Sequence, residues 1–408
     1  MENTFSVLIK PLLEYCEKNG KTIDEASGSR TLKFHYFVPT IVFAYLMQIS
    51  SLRKLTNKLE LSDTAKNLGL QVIPWTTIRD GFTRFSYHFF VAMYRSVLQQ
   101  TNIIRLDAID ELGLISLVDG SIFPTIRSMC WAEYKKTKQA IRLHVEFNLN
   151  QMIPLEFIGL KANSSERQFL LSIVKKGVTY VADRGYFSFD VVAAINKVFA
   201  FFIIRIKNNM KFTVGASLPV TGQMPACLNQ VSDQLIRFDN DPHQLVCRLV
   251  MFKVVDSEFK ICTNRFDLST LEIIMLYAYR WQIELLFKFI KRTLNGIHLF
   301  NHSQNGVNIQ FCLLMIMSVL YLDMRQFCKV AYTYTTKDVK KGEISTIGQP
   351  SHMTDFNTYL GHCPDKWMNS INKAFESLWK ISSYWTDNLM ELLPKPFDYH
   401  VINILARE

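Results

Sequence analysis

The sequence contains no Cys-x-x-Cys pair. Its eight cysteines, Cys16, Cys130, Cys227, Cys247, Cys262, Cys312, Cys328 and Cys363, are scattered, and none stands at zinc-ligand spacing from a histidine pair. A zinc site is therefore disfavoured, and lone thiols point to a reducing compartment. No polybasic run or charged tail is present, so the net charge of +10 belongs to folded surfaces. Such a charge favours a polyanionic partner, nucleic acid or an acidic membrane. No apolar run reaches the roughly 18 residues that argue a membrane span; the most apolar segment, 309–322, reads as a buried helix. The opening Met-Glu-Asn-Thr lacks the basic start and apolar core of a signal peptide, so a cytoplasmic location is expected. There is no internal repeat and no low-complexity tract.

What is present is 408 residues, 49% of them hydrophobic, enough for the cores of two or three domains. Residues 1–105 read as helical, with Leu52, Leu55 and Leu59 among Arg53, Lys54 and Lys58, a break at 69–74, and a helical pattern resuming over 76–98. This region is a candidate DNA-binding domain or a packing domain. An α/β pattern follows. Residues 114–119 form an apolar run ending in Asp-Gly-Ser, a strand and a turn. In 141–147, Ile141, Leu143, Val145 and Phe147 alternate with Arg142, His144 and Glu146, which predicts a half-buried strand. It pairs with 152–160 across a hairpin. Ser165-x-x-Gln168 opens a helix to about Lys176, and Gly177 stops it. Residues 178–182 form a strand ending at Asp183-Arg184-Gly185, residues 190–196 a helix and 199–206 a central strand.

That order is the plan of a ribonuclease-H-like catalytic domain, with first part 106–206. Residues 207–265 read as a β-rich insertion before the last catalytic helix, and 266–328 as the final helices of the core. The remainder, 329–408, is mainly helical and of unknown role: 333–349 is polar and reads as an exposed loop, and 365–393 is rich in tryptophan and apolar residues at helical spacing.

The most informative stretch is 277–291. On a helix turning ~100° per residue, Tyr277, Arg280, Glu284, Lys288 and Lys291 fall within an arc of roughly 80°. Met275, Leu276, Tyr279, Ile283, Leu286, Phe287 and Ile290 take the other side. One carboxylate thus sits in a stripe of cations and a phenol. Asp119 and Asp183 each end a predicted strand, and those strands neighbour each other in the sheet. Singly, each acid has a plain structural reading. Asp119 can be a turn residue, Asp183 a helix cap or a partner of Arg184, and Glu284 an i,i+4 partner of Arg280 and Lys288. Together, three acids that close repel one another unless a cation compensates. Divalent metals with oxygen ligands meet that need.

The combination resembles the DDE transposases of the insertion sequence 4 family. Leu-Val-Asp119-Gly-Ser is similar to that family's first acid motif and Asp183-Arg184-Gly185-Tyr186 to its second. Tyr277, Arg280, Glu284 and Lys291 match its Tyr-Arg-Glu-Lys signature at every spacing. Thr263-Asn264, Arg280-Trp281-x-Ile-Glu284 and Ile204-x-Ile-Lys-Asn add to the likeness, which covers about 110–325. The resemblance implies that Asp119, Asp183 and Glu284 are catalytic and bind Mg²⁺ or Mn²⁺, as two ions. It implies phosphate contacts from Tyr277, Arg280 and Lys291, with Arg184, Trp281 and Lys288 as further DNA-binding candidates. It implies hydrolysis at the ends of an insertion sequence, attack of the freed 3′-hydroxyls on target DNA, and a homodimer on DNA in a prokaryotic, nucleoid-associated setting. No membrane and no small-molecule cofactor are called for. A catalytically silent DNA-binding relative and a ribonuclease-H-like nuclease without strand transfer are the alternatives. A tyrosine recombinase is disfavoured, because none of the nine histidines has Arg three residues on.

Overall fold

The computed structural model describes residues 4–339, apart from 29–30, 102–106, 126–128, 136–137, 226 and 255–256. Of the described residues, those up to 101 together with 288–339 form one compact unit, and those of 107–287 form the other.

The first unit is helical. It contains α1 (Thr4–Ala26), α2 (Phe34–Leu46), α3 (Leu52–Leu61), α4 (Asp63–Asn67), α5 (Trp75–Arg84) and α6 (Tyr87–Gln100), and much later the long helix Gln304–Val339. α2 is apolar on every side and almost wholly buried, as a central helix must be. Its Phe34 and Phe37 meet Phe82, Phe85 and Phe90 with ring centroids 5.0 to 6.1 Å apart, the offset and edge geometries that aromatic quadrupoles favour. The helical pattern over 76–98 forms two helices, because Ser86 caps α6 by accepting from His88 N–H. The apolar segment 309–321 is buried within the long helix, as expected. That helix also takes in 333–339, part of the segment read as a loop. The rest of that segment, 340–349, and the tryptophan-rich 365–393 lie outside the described residues.

The second unit is built on one mixed sheet. Its strands are β1 (Leu114–Pro124), β2 (Glu133–Lys135), β3 (Lys138–Asn148), β4 (Ile153–Lys161), β5 (Val178–Ala182), β6 (Phe201–Arg205), β7 (Phe212–Leu218), β8 (Leu228–Phe238), β9 (Val246–Val254) and β10 (Ser257–Thr263). Their order is β2-β3-β1-β5-β6-β10-β9-β8-β7, with β4 paired to β3. β1, β5 and β6 run parallel, and the other pairings are antiparallel. The helices are α7 (Asp107–Asp110), α8 (Glu166–Ile173), α9 (Phe189–Lys197), α10 (Thr270–Tyr279) and α11, which begins at Trp281 and ends at Lys288. Phe169, Leu170 and Ile173 of α8 and Val191, Val192 and Ile195 of α9 bury one face of β1, β5 and β6 through Val118, Tyr180, Ala182, Phe202 and Ile204. α10 packs against β5, β6 and β9.

Four expectations need correction. β1 does not stop at Asp119; it continues to Pro124, because β3 pairs with it along that whole length, Asp119 opposite Val145 and Pro124 opposite Ala140. β3 is not half-buried: His144 and Glu146 are as buried as their apolar neighbours, since α8 covers the polar side and Phe169 stacks on His144 at 5.2 Å. α8 ends at Ile173, short of Lys176. The Tyr180 hydroxyl donates to Ile173 C=O (2.8 Å) and accepts from Lys175 N–H (2.9 Å), taking groups the helix would otherwise use. Finally, 277–291 is not one α-helix. α10 stops at Tyr279, and a tight turn follows in which Arg280 N–H bonds Tyr277 C=O and Ile283 N–H bonds Arg280 C=O, both at 3.1 Å. α11 then runs into a π-helical stretch, Phe289–Thr293. The β-rich segment after 207 forms four strands, as its turn residues predict, and they extend the main sheet through β10 on β6.

Candidate active site

The acids owe their positions to strand register. β1 and β5 are parallel, and their last paired residues are Val118 and Ala182. Asp119 and Asp183 come next. Side chains alternate along strands. Val118 and Ala182 face the α8–α9 layer, so the acids fall on the opposite face, under α10. Neighbouring strands lie about 4.8 Å apart, which sets the two carboxyl groups side by side. Asp119 is half-buried, and its Oδ1 accepts from Gly120 N–H at 2.7 Å. Asp183 C=O accepts from Tyr186 N–H at 3.0 Å, closing the Asp183-Arg184-Gly185-Tyr186 turn.

α10 is fixed at its start by two devices that sequence reading did not assign. Ser269 and Glu272 form a reciprocal capping box, Ser269 Oγ accepting from Glu272 N–H and Glu272 Oε2 from Ser269 N–H. A buried pair behind it joins Arg248 of β9 to Asp233 of β8 at 2.6 Å. Arg248 also donates to Arg265 and Leu268 carbonyls, and Thr270 Oγ1 donates to Asp233 Oδ2 at 2.8 Å. The four strands before α10 therefore anchor the helix that crosses the acids.

From α10 the Tyr277 hydroxyl reaches Asp183 Oδ1 at 3.4 Å. One nitrogen of Arg280, Nη1, lies 2.9 Å from Glu284 Oε1 and 3.5 Å from Asp119 Oδ2. Those two carboxylate oxygens are therefore no further apart than the two spans laid end to end. The Arg280 guanidinium also lies 5.7 Å from the centre of the Tyr277 ring. So Asp119, Asp183 and Glu284, from three distant parts of the chain, are linked through Arg280 and Tyr277. Glu284 stays in the first turn of α11, one helical turn beyond Arg280. The Arg280–Glu284 pair is the i,i+4 contact that the plain reading of Glu284 expected. It is not on a wet face, because Arg280 is only 3% exposed.

The remaining candidates are placed less closely. Arg184 is exposed in the turn after Asp183, and Trp281 is half-buried at the start of α11. Tyr277 is buried. Lys288 and Lys291 belong to the helical unit. Burial lowers the Lys291 ammonium below its ordinary pKa.

Three side chains near the acids were not singled out from the sequence. Arg142 of β3 pairs with Glu166 of α8. Tyr186, though part of the quoted motif, carried no role; burial first, then the neighbouring Asp119, raises its hydroxyl pKa well above the ordinary value. The available signal was glycine. Gly120 beside Asp119 and Gly185 beyond Asp183 each mark a place where another group approaches the backbone closely. Arg142 lies over the first and Glu166 against the second.

The donor set is three carboxylates, the hard oxygen chemistry that suits Mg²⁺ or Mn²⁺. Among the described residues no group of three His, Cys, Asp or Glu side chains is spaced as a finished metal cage. In this structure Arg280 places one positive charge between Asp119 and Glu284. The residues fit a divalent cation in chemistry, with Arg280 as the group such a cation would displace.

The Transposase DDE domain family matches residues 111–320. A putative transposase, y4zB, of Sinorhizobium fredii is 26% identical over 209 residues, 50% of this chain and 59% of that protein. A probable transposase for insertion sequence element IS5377 of Geobacillus stearothermophilus is 25% identical over 199 residues, 47% of this chain and 51% of its own length. The chain thus spans about half the length of the curated relatives it matches. A solved piggyBac transposase synaptic complex with hairpin DNA overlays 94% of this chain and 81% of its own at 11% identity; the TM-score of 0.41 is too loose to bear on the fold. No helix among the described residues is long and apolar enough to cross a membrane.

Proposed function

Because this chain belongs to the transposase DDE domain family, we propose that it is a DNA transposase that cuts and joins the ends of its own insertion sequence by metal-dependent phosphodiester chemistry. The observation that carries this reading is the junction of Asp119, Asp183 and Glu284 around Arg280 and Tyr277. A likeness to insertion-sequence-4 enzymes is supported by the spacing of Tyr277, Arg280, Glu284 and Lys291 and by the Asp183-Arg184-Gly185-Tyr186 turn. A ribonuclease-H-like core is supported by antiparallel β3 and β1 beside parallel β1, β5 and β6, with two acids following the last parallel pair.

Asp119, Asp183 and Glu284 would hold Mg²⁺ or Mn²⁺, as two ions. When bound, such ions polarise an attacking water or hydroxyl and stabilise the leaving oxygen. The chain's own residues do the positioning. Arg280, once released from the carboxylates, offers a planar fork of donors to non-bridging phosphate oxygens, and Lys291 a point charge. Tyr277 donates a hydrogen bond from its phenol. Arg184 and Lys288 are exposed cations for the DNA backbone, and Trp281 is the stacking or packing candidate. Hydrolysis frees a 3′-hydroxyl, which attacks target DNA directly, so no serine or tyrosine nucleophile is needed. Two ends must be held together, which calls for a homodimer on DNA.

The test is a labelled duplex carrying the element's terminal inverted repeat, incubated with purified protein and Mg²⁺. Cleavage that disappears in Glu284→Gln while duplex binding persists supports the reading. Binding without cleavage by the wild-type protein would leave a silent relative. Cleavage that never yields joined products would leave a nuclease.

A further inference from the structure

We propose that Arg142 and Tyr186 form a second phosphate-binding pair on the α8 side of the sheet, behind the strands that carry the acids, with Glu166 occupying Arg142 until DNA displaces it. The inference rests on the DNA-processing reading above and adds residues that nothing else assigns.

Arg142 leaves β3 on the α8 side of the sheet, and its stem lies across Gly120, the residue after Asp119. A side chain begun at Gly120 would meet Arg142 Cδ at 2.9 Å and Cγ at 3.2 Å. The guanidinium ends in an ion pair with Glu166, and the two side chains remain 20% and 24% exposed, within reach of a ligand. The buried Arg142 Nε has no hydrogen-bond partner among the described residues. Glu166 also presses its Oε2 against Gly185, in the turn that follows Asp183. One carboxylate therefore touches both the arginine beside the first acid and the turn that carries the second.

Tyr186 supplies the other donor. Its side chain is 1% exposed, and its hydroxyl is buried with no partner among the described residues. The charges that act on it are Asp119, Arg142, Arg280 and Asp183. Its raised pKa keeps the phenol protonated, a donor at any physiological pH. An orphaned buried hydroxyl costs stability, so its retention needs a reason. Two unspent donors on the α8 side of the sheet, one on a guanidinium, suit an incoming oxyanion with several acceptors. A phosphodiester has that form, and the Glu166 carboxylate is its internal stand-in. The plain alternative is that the Arg142–Glu166 pair only fastens α8 to β3.

Anisotropy of a fluorescein-labelled 30-base-pair duplex, titrated with full-length protein in EDTA from low to high KCl, separates the two. Glu166→Gln is expected to tighten binding several-fold. Arg142→Gln is expected to weaken it about tenfold and lower the log–log salt slope by about 0.9. The double variant should show no gain over Arg142→Gln alone, because Glu166 acts through Arg142. Tyr186→Phe should weaken binding while leaving the Tm unchanged or higher. If Arg142→Gln fails to fold, Glu166→Gln and Tyr186→Phe decide. Equal tightening by Glu166→Gln in both backgrounds, an unchanged slope in a folded Arg142→Gln, or unchanged binding by both Glu166→Gln and Tyr186→Phe overturns the inference. A wild-type protein that binds no duplex at any salt overturns the transposase reading instead.

Discussion

Arg280 reaches back 161 residues to place its guanidinium 3.5 Å from the Asp119 carboxylate. The same nitrogen holds Glu284 at 2.9 Å. Two acids that would repel each other share one internal cation, which offsets part of the site's negative charge before any metal arrives.

Removing that cation should alter metal binding. Arg280→Gln removes the guanidinium that the two carboxylates share and is expected to cost about 1–3 kcal/mol of stability in EDTA. Most of that deficit should vanish in millimolar Mn²⁺, and calorimetric Mn²⁺ affinity should rise, because the ion no longer competes with the guanidinium. Weaker Mn²⁺ binding, or an equal Tm deficit with and without the ion, would contradict this account.

The buried Arg248–Asp233 pair should be costly to break. Asp233→Ala strands a guanidinium whose side chain is 5% exposed and removes the acceptor of Thr270. A loss of about 3–5 kcal/mol is expected in urea denaturation. A loss under about 1 kcal/mol would mean that the pair behaves as a solvated one.

His144 should make the fold sensitive to acid. Burial first, and then Arg142, lower its pKa from 6.5 to about 4. Above pH 6.5 the ring is neutral folded or unfolded, and its contribution is complete. As pH falls toward 4, only the unfolded chain takes up the proton, and stability drops by up to roughly 3 kcal/mol. Glu146 acts in the opposite sense, because burial raises its pKa. Comparing wild type with His144→Gln in denaturant at pH 7.5 and pH 4.5 isolates the histidine: the variant should lose less on acidification. Parallel losses would refute the assignment.

Gly120→Ala should disturb the site from the sheet. Its methyl group would fall 2.9 Å from Arg142 Cδ and 3.1 Å from His144 Nδ1. The arginine stem can yield, but the ring wedged on Phe169 cannot readily do so. A cost of about 1–3 kcal/mol is expected from such overpacking, measured by thermal unfolding. An unchanged Tm would show that both neighbours relax freely.

Much of this was legible in the chain itself. The strand 178–182 was read to the residue, because continuous apolar sequence bounded by glycine and aspartate has few other solutions. Capping serines fix helix starts at Ser165 and Ser86, and only the first is followed three residues on by the Gln or Glu that marks such a start in sequence. Less legible was the fate of polar residues. The alternation in 141–147 separated two faces correctly but could not say that α8 would cover the polar one, since burial depends on what packs above. Nor did periodicity reveal the turn at Arg280. All the residues of 277–283 tolerate a helix, and the break serves contacts with Asp119 that lie far away in sequence.

By itself, then, the sequence determined which residues carry charge, which faces are apolar and how many positions separate the acids, because these follow from residue type and from the periods of helix and strand. Only the tertiary structure decided that β1 and β5 lie in register, that Arg280 bridges two of the acids, and that Arg142, Glu166 and Tyr186 come together on the α8 side of the sheet. Those relations join segments distant in the chain, and no local preference specifies which of them will meet.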